Sequence, residues 1–356
     1  SCRNPETDFG SIEDDCMRRD LTINALYTNI STGEIVDITG KGVDDIKNHI
    51  IRTPNDPDII YDDDPLRILR CIRFASRYSW DIEPETYEGM VRNVSRLEII
   101  TKERVQDEFS KMLTCKHPVM AMELLRKTGA MHYVIPELEE TYSMTQNEYH
   151  FGTVWEHTMS VLAGIKDDDL ILRLSALLHD IGKIRVRTEE DGKIHFLKHE
   201  LKSGEMIDEL LRPLKFSNEI IKEVTFLVRN HMICKTWGYE CENMKDKKLR
   251  RLQYECKTEE RFRNLMTIID ADNKAHAADK CMPKQVELIL RSTDAMKAEC
   301  SAMFGYKLPL TGKEIMALKG IKPGPGVKEC LDYLLKIAFA NPLREKEKFV
   351  KHLLGY

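Results

Sequence analysis

The chain has no Cys-x-x-Cys pair, although it carries ten cysteines. Scattered singly, they supply neither a zinc-ribbon spacing nor a secreted disulfide framework, and they suit a reducing, cytoplasmic setting. No apolar run is long enough to span a bilayer and no signal peptide is visible, so no membrane partner is expected. Aromatic residues are only 7% of the chain while charged residues reach 32%. That balance disfavours a β-sandwich and suits a helical protein. A basic excess is also absent, because the formal net charge is −5. Any nucleic acid must therefore be gripped by local patches rather than by a global field.

What is present begins with Asp63-Asp64-Pro65-Leu66-Arg67-Ile68-Leu69-Arg70-Cys71-Ile72-Arg73-Phe74. This stretch predicts a helix over 64–78, with an acidic N-terminus and Pro65 in the first turn. Asp64, Arg67, Arg70 and Arg73 recur every third residue and are expected along one side. Leu66, Leu69, Ile72 and Ala75 would turn the other side to a core. Guanidiniums bind phosphates, and an Asp/Arg pair can read a base edge. A solvated, salt-bridged helix face has the same pattern, so this helix alone does not decide between the two.

A second segment stands upstream: Arg18-Arg19-Asp20-Leu21-Thr22-Ile23-Asn24-Ala25. Together the two resemble the class II nucleotidyltransferases that build the CCA end of tRNA, and the related bacterial poly(A) polymerases. In that family a doubled Arg precedes Asp-x-Thr-x-Asn-Ala, and an acidic pair leads into three arginines at three-residue spacing and a Phe. The family often has Glu-Asp where this chain has Asp63-Asp64. Glu103-Arg104 through Glu108-Phe109 resembles the family segment that ends its neck region. Leu310-Thr311-Gly312-Lys313-Glu314, with the Gly/Pro turn at 320–326, looks like the C-terminal part of CCA-adding enzymes. It favours CCA addition over poly(A) synthesis.

The resemblance implies roles for these residues. Arg19 would meet the triphosphate or ribose, and Asp20 and Asn24 would shape the turn. Asp64 and Arg67 would face the base, with Arg70 and Arg73 behind them. The chemistry is consistent: a carboxylate accepts from the exocyclic amine of cytosine or adenine, and a guanidinium donates to the neighbouring ring nitrogen. Guanine and uracil place a carbonyl oxygen there, which repels the carboxylate. The expected partners are thus CTP, ATP and tRNA. Transfer itself needs Mg2+ held by carboxylates. The family holds it with an Asp-x-Asp pair and cradles the triphosphate with a Gly-Gly loop, and neither lies upstream of Arg18. The chain is therefore read as a fragment with no catalytic carboxylates of its own, not expected to add nucleotides unaided.

A second constellation follows: His157, then His179-Asp180 at the end of the apolar run Leu174, Ala176, Leu177, Leu178, then His195, His199, His231 and Asp272. It resembles the HD phosphohydrolase superfamily. Imidazole and carboxylate donors from several helices can surround a divalent ion, either a transition metal or Mg2+. An unpaired His-Asp doublet in an apolar helix would be costly. The expected ligands are His157, His179, Asp180 and Asp272, with Asp270 as the alternative to Asp272. His199 and His231 would bind a second metal or simply form hydrogen bonds, and Lys183 could meet a substrate phosphate. A stand-alone HD phosphohydrolase, a poly(A) polymerase and a non-catalytic RNA-binding module stay open as other readings.

The expected fold is mainly α. Residues 1–60 would be the C-terminal remnant of an α/β nucleotidyltransferase head, with short β runs at 22–27 and 34–38 and a helix at 43–51. Residues 61–150 would form a helical neck that binds nucleotide and RNA, with helices at 84–94 and 119–126 and a further piece at 134–138. Residues 151–280 would be an all-α HD domain, and 281–356 a helical tail. Thr53-Pro54-Asn55-Asp56-Pro57 reads as a loop.

Overall fold

A computed structural model describes residues 10–147 and 152–355, so the expected boundary at 151 lies outside the described residues. The chain is mainly α, as its composition suggests, and divides into two compact units, residues 1–229 and 230–356.

The first unit opens with α1 (Ile12–Met17), held by a capping box between Ser11 and Asp14. Thr22–Asn24 forms a 3-10 turn instead of the start of a strand. The hairpin follows, β1 (Leu26–Thr28) pairing antiparallel with β2 (Ile35–Asp37). After α2 (Gly42–Asn48), β3 (Ile50–Ile51) pairs in parallel with β4 (Asp81–Ile82). The 53–57 loop is shorter than expected and gives way to α3 (Pro57–Asp63). Pro57 fits a helix's first position, and the Asp56 carboxylate accepts from the Asp58 N–H at 2.9 Å.

The arginine-bearing helix α4 spans Leu66–Tyr78, two residues later than expected. Asp64 is extended (φ −147°) and stands outside it, and its Oδ1 accepts from the Leu66 N–H at 3.2 Å. Leu66, Ile68, Leu69, Ile72 and Ala75 are buried where α4 packs on α6 (Lys102–Leu113) and α7 (Pro118–Thr128). Between them lies α5 (Pro84–Asn93). The expected helical piece at 134–138 is broken. The short α8 (Met131–Val134) stops before Pro136, because the residue preceding a proline is pushed out of the helical region, and a 3-10 turn follows.

Beyond residue 152 the first unit continues through α9 (Val154–Gly164) and α10 (Leu170–Leu178), packed side by side. Arg173 of α10 donates to the Leu113 and Cys115 carbonyls at 2.5 and 2.6 Å, satisfying orphan acceptors at the end of α6. Next come α11 (Lys183–Val186), the hairpin β5 (Thr188–Glu190) with β6 (Lys193–His195), α12 (His199–Leu211) and α13 (Asn218–Asn230).

The second unit contains α14 (Asp246–Cys256), α15 (Glu259–Ala275), α16 (Gln285–Ala298), α17 (Gly312–Lys319), α18 (Pro325–Ala340) and α19 (Lys346–Leu354). Met303, Ile315, Leu334, Phe349 and Leu353 fill one core. The expected turn is there: Gly320 ends α17 at φ +63° and Pro325 opens α18. No helix of the described residues is long and apolar enough to cross a membrane.

Candidate functional site

The two motif segments meet across an open cleft of about 680 Å3. Arg19, Asp20 and Asn24 line it from the end of α1, and Asp64, Arg67 and Arg70 from α4 and the residue before it. Asp20 and Asn24 are joined within the turn that follows α1. Asp20 Oδ1 accepts from the Leu21 N–H at 2.9 Å and from the Asn24 side-chain amide at 3.1 Å. Its other oxygen takes Arg70 Nε at 2.8 Å and Nη2 at 2.6 Å, which ties the first motif to the second. Arg19 donates to Asp15 at 2.9 Å and to the Asn24 carbonyl at 2.7 Å, and lies 5.0 Å from the Tyr27 ring centre. Hydrogen bonds from Tyr27 and from Arg19 hold the Asp15 carboxyl below its usual range.

Arg73 does not line the cleft. It is buried, and its Nε donates to Glu108 Oε2 at 2.6 Å on α6. The reason is helical geometry: each residue turns the helix by roughly 100°, so a three-residue spacing drifts by about 60° per step, and Arg73 lies about 120° round α4 from Arg67. The expectation that all four share one side fails over that length.

Two further cationic residues belong to the cleft, Arg18 and Arg104. Arg18 is half of the doubled arginine of the motif. Arg104 sits in the neck-like segment quoted above, but nothing local to it signals a place beside Asp64. Arg104 Nη2 donates to Asp64 Oδ2 at 2.7 Å, whereas Arg67 pairs with Asp63 at 2.7 Å and donates to the Ile60 carbonyl at 3.1 Å. Five guanidiniums (Arg18, Arg19, Arg67, Arg70, Arg104) thus face three carboxylates (Asp15, Asp20, Asp64), an excess that suits a polyphosphate. Each of the three acids is already engaged by an arginine. That donor set does not fit Mg2+, and no transfer step is assigned to it.

The second cluster is buried in the first unit. His157 comes from α9, and His179 and Asp180 follow the last turn of α10. His179 Nδ1 donates to the Ala176 carbonyl at 2.8 Å, which turns Nε2 toward the cluster. His179 Nε2 is 3.4 Å from His157 Nε2 and 3.2 Å from Asp180 Oδ2, which is 3.6 Å from His157 Nε2. These donors converge on one point and fit a divalent metal ion. His199, at the start of α12, is oriented the same way by the Phe196 carbonyl at 2.9 Å and places Nε2 3.1 Å from Asp180 Oδ1. Gly182 lets α12 come this close, because a Cβ there would lie 2.4 Å from Ser203 N and 2.5 Å from the His199 carbonyl. Its N–H donates to Ser203 Oγ at 2.8 Å. Lys183 is buried, with Nζ 2.7 Å from Asp180 Oδ2 and 2.6 Å from Gln146 Oε1. Burial alone would raise the Asp180 carboxyl. The charges of His179 and Lys183, with hydrogen bonds from His179 and His199, hold it well below the usual range.

His195 lies in β6, with its side chain partly exposed. In the second unit, Asp272 is buried on α15 and its Oδ2 lies 3.1 Å from Lys235 Nζ. The alternative, Asp270, sits nearer the surface and pairs with Lys274 at 2.6 Å. His231 is buried in that unit.

Three comparisons bear on this arrangement. Residues 1–52 match the family described as the poly A polymerase head domain, 80–141 a probable RNA- and SrmB-binding site of polymerase A, and 147–274 the HD domain. The A-adding tRNA nucleotidyltransferase of Deinococcus radiodurans is 30% identical over 334 residues, covering 90% of this chain and 74% of that protein. The chain belongs to the family of CCA-adding enzymes and poly(A) polymerases, and it carries an HD domain. Another member, the CC-adding tRNA nucleotidyltransferase of Thermus thermophilus, is 27% identical and covers 97% of this chain and 77% of its own length. The fold is that of the Bacillus stearothermophilus CCA-adding enzyme, solved in complex with CTP. Its TM-score is 0.68 at 22% identity, over 98% of this chain and 75% of that one. As a member of this nucleotidyltransferase family, the chain places the doubled arginine, and Asp64 of the acidic pair, on the lining of one cleft.

Proposed function

We propose that the cleft selects cytosine- and adenine-bearing nucleoside triphosphates for addition to the 3′ end of tRNA in the cytoplasm. The supporting observation is that Asp64 and Arg67 both line the cleft, with Arg18, Arg19 and Arg70 around them. The guanidiniums take the triphosphate, and Asp64 accepts the base amine while Arg67 donates to the ring nitrogen beside it. A base with a carbonyl in the amine's place meets the Asp64 lone pairs and is rejected. Selection then needs no template strand. The relatives' names include A-adding, CC-adding and CCA tRNA nucleotidyltransferases, which supports cytosine and adenine as the bases this cleft takes. Mg2+ for the transfer would be held by an Asp-x-Asp pair of the catalytic head. The test is binding of CTP, ATP, GTP and UTP to the chain, followed by labelled incorporation into tRNA lacking its CCA end once a head segment with Gly-Gly and Asp-x-Asp is joined upstream. Equal binding of all four nucleotides would sink the reading, and long A tracts would move the protein to the poly(A) polymerases.

A second activity is supported by the convergence of His157, His179 and Asp180. We propose that they hold a divalent metal, which when bound would supply Lewis-acid activation of a phosphoester. The chain's own contribution is to turn His179 Nε2 toward the cluster, to keep Asp180 ionised, and to hold Lys183 beside it as a cation for a phosphate. A phosphatase screen with manganese, nickel or magnesium tests this, with His179→Ala as the control. No turnover with any of the three metals would refute it.

A further inference from the structure

Four rings form a continuous row that begins in the nucleotide cleft and runs out of it. Phe74, which lines the cleft, lies 6.1 Å from Tyr78 with the planes at 21°. Tyr78 meets Trp80 at 5.0 Å, and Trp80 stacks on His49 at 5.1 Å and 18°. This row is not core packing, because Tyr78 is 42% exposed, His49 is exposed and Trp80 is half-buried. Exposed Arg77 accompanies it, 5.6 Å from the Tyr78 ring centre, whereas Arg70 and Arg73, 5.8 and 4.2 Å from that of Phe74, are held by Asp20 and Glu108.

Backbone geometry assembles the row. Phe74 and Tyr78 are one turn apart on α4. Ser79 ends that helix at φ +58°, and the Trp80 N–H bonds back to the Ala75 carbonyl at 3.0 Å. His49 ends α2 in the same left-handed conformation, at φ +59°. The parallel register of Ile50 with Asp81 then sets the residues just before each strand, His49 and Trp80, side by side. Neither helix end uses glycine, so both hold side chains in a backbone region that L-residues rarely adopt.

We propose that this row is a stacking platform for a single-stranded RNA 3′ end, leading it out of the cleft with its bases on the rings and its backbone along Arg77. The inference rests on the reading of the cleft as the place where an RNA end is extended. Aromatic faces accept any base, and flanking arginines supply the backbone charge, which is how sequence-tolerant single-strand sites are made. A chain of net charge −5 needs such a local patch. A duplex would offer backbone and 2′-hydroxyls but no open base faces, so the platform discriminates against it.

The experiment measures fluorescence anisotropy of a labelled single-stranded RNA octamer on the chain, with CTP binding followed by calorimetry in parallel. Tyr78→Ala and Trp80→Ala should each weaken RNA binding by about 5- to 150-fold, leaving CTP affinity within twofold. Tyr78→Phe should keep RNA binding, and a blunt RNA duplex should bind no tighter to wild type than to the Ala variants. Should an Ala variant unfold, quenching of Trp80 fluorescence by the octamer in the wild type, absent in Trp80→Phe, gives the same answer. Octamer affinity within twofold of wild type in folded Tyr78→Ala and Trp80→Ala, or no Trp80 quenching, overturns the platform. Failure of the chain to bind CTP overturns the reading of the cleft instead, and is scored separately.

Discussion

Asp64 Oδ2 accepts a hydrogen bond from Arg104 Nη2 at 2.7 Å, joining a residue at the mouth of α4 to one on α6 forty positions away. Arg67, the expected partner in base reading, is meanwhile held by Asp63 and by the Ile60 carbonyl. Under the proposed reading, a base bound by Asp64 and Arg67 must share or displace Arg104 and Asp63. Asp64→Ala should lower the preference for CTP and ATP over GTP and UTP by about 10-fold or more, as loss of a charge-assisted hydrogen bond implies. Arg104→Met should lower the same preference by a smaller factor. Competition titrations of the four nucleotides check both. An unchanged preference in Asp64→Ala would remove Asp64 from base recognition.

Arg73 and Glu108 form a buried ion pair, with side chains 10% and 3% exposed. Removing one partner strands the other charge, so Arg73→Met and Glu108→Leu should each cost about 3–5 kcal/mol, while the double variant recovers most of that loss. Urea denaturation of the three variants measures this. CTP affinity of the folded Arg73→Met protein should stay near wild type, because Arg73 points away from the cleft.

The tight approach at Gly182 sets the geometry of the histidine–aspartate cluster. A methyl group there collides with backbone atoms of α12, so Gly182→Ala should cost about 1–3 kcal/mol by overpacking. It should also weaken metal binding by moving His199 relative to Asp180. Calorimetric titration with Mn2+ or Ni2+ reads the second effect, and His179→Ala should abolish binding outright. Full metal affinity in His179→Ala would show that the cluster is structural.

Alkaline stability should track the buried thiols. Burial pushes Cys71 and Cys256 from an ordinary 9.0 up to about 12. The folded state therefore keeps protons that the unfolded chain releases, so this contribution is complete below about pH 9 and is lost as pH rises toward about 12. The urea midpoint should fall across that window, and Cys71→Val should make the fall shallower. Exposed Cys300 should react with a thiol reagent well before either buried one. An identical slope in Cys71→Val would refute the assignment.

Much of the site could be read directly. The turn chemistry of Asp20 and Asn24, the cleft position of Arg67 and Arg70, and the His179-Asp180 doublet at the end of an apolar helix are local patterns. Local patterns survive folding because helix period and capping act over a few residues. Arg73 was misplaced because a three-residue repeat was treated as a straight line along a helix of 3.6 residues per turn. The helix at Pro57–Asp63 was missed because its proline and aspartates read as loop chemistry when they are an N-cap and first turn.

Sequence by itself determined the helical character, the two motif segments and the histidine–aspartate doublet, since each depends on neighbours within a turn or two. Only the tertiary structure decided which charge meets which. Arg104 reaches Asp64, Arg70 reaches Asp20 fifty positions away, Glu108 claims Arg73, and His49 comes to lie on Trp80. Those pairings are set by how α4, α6 and two left-handed helix ends pack, and no short window of residues contains that information.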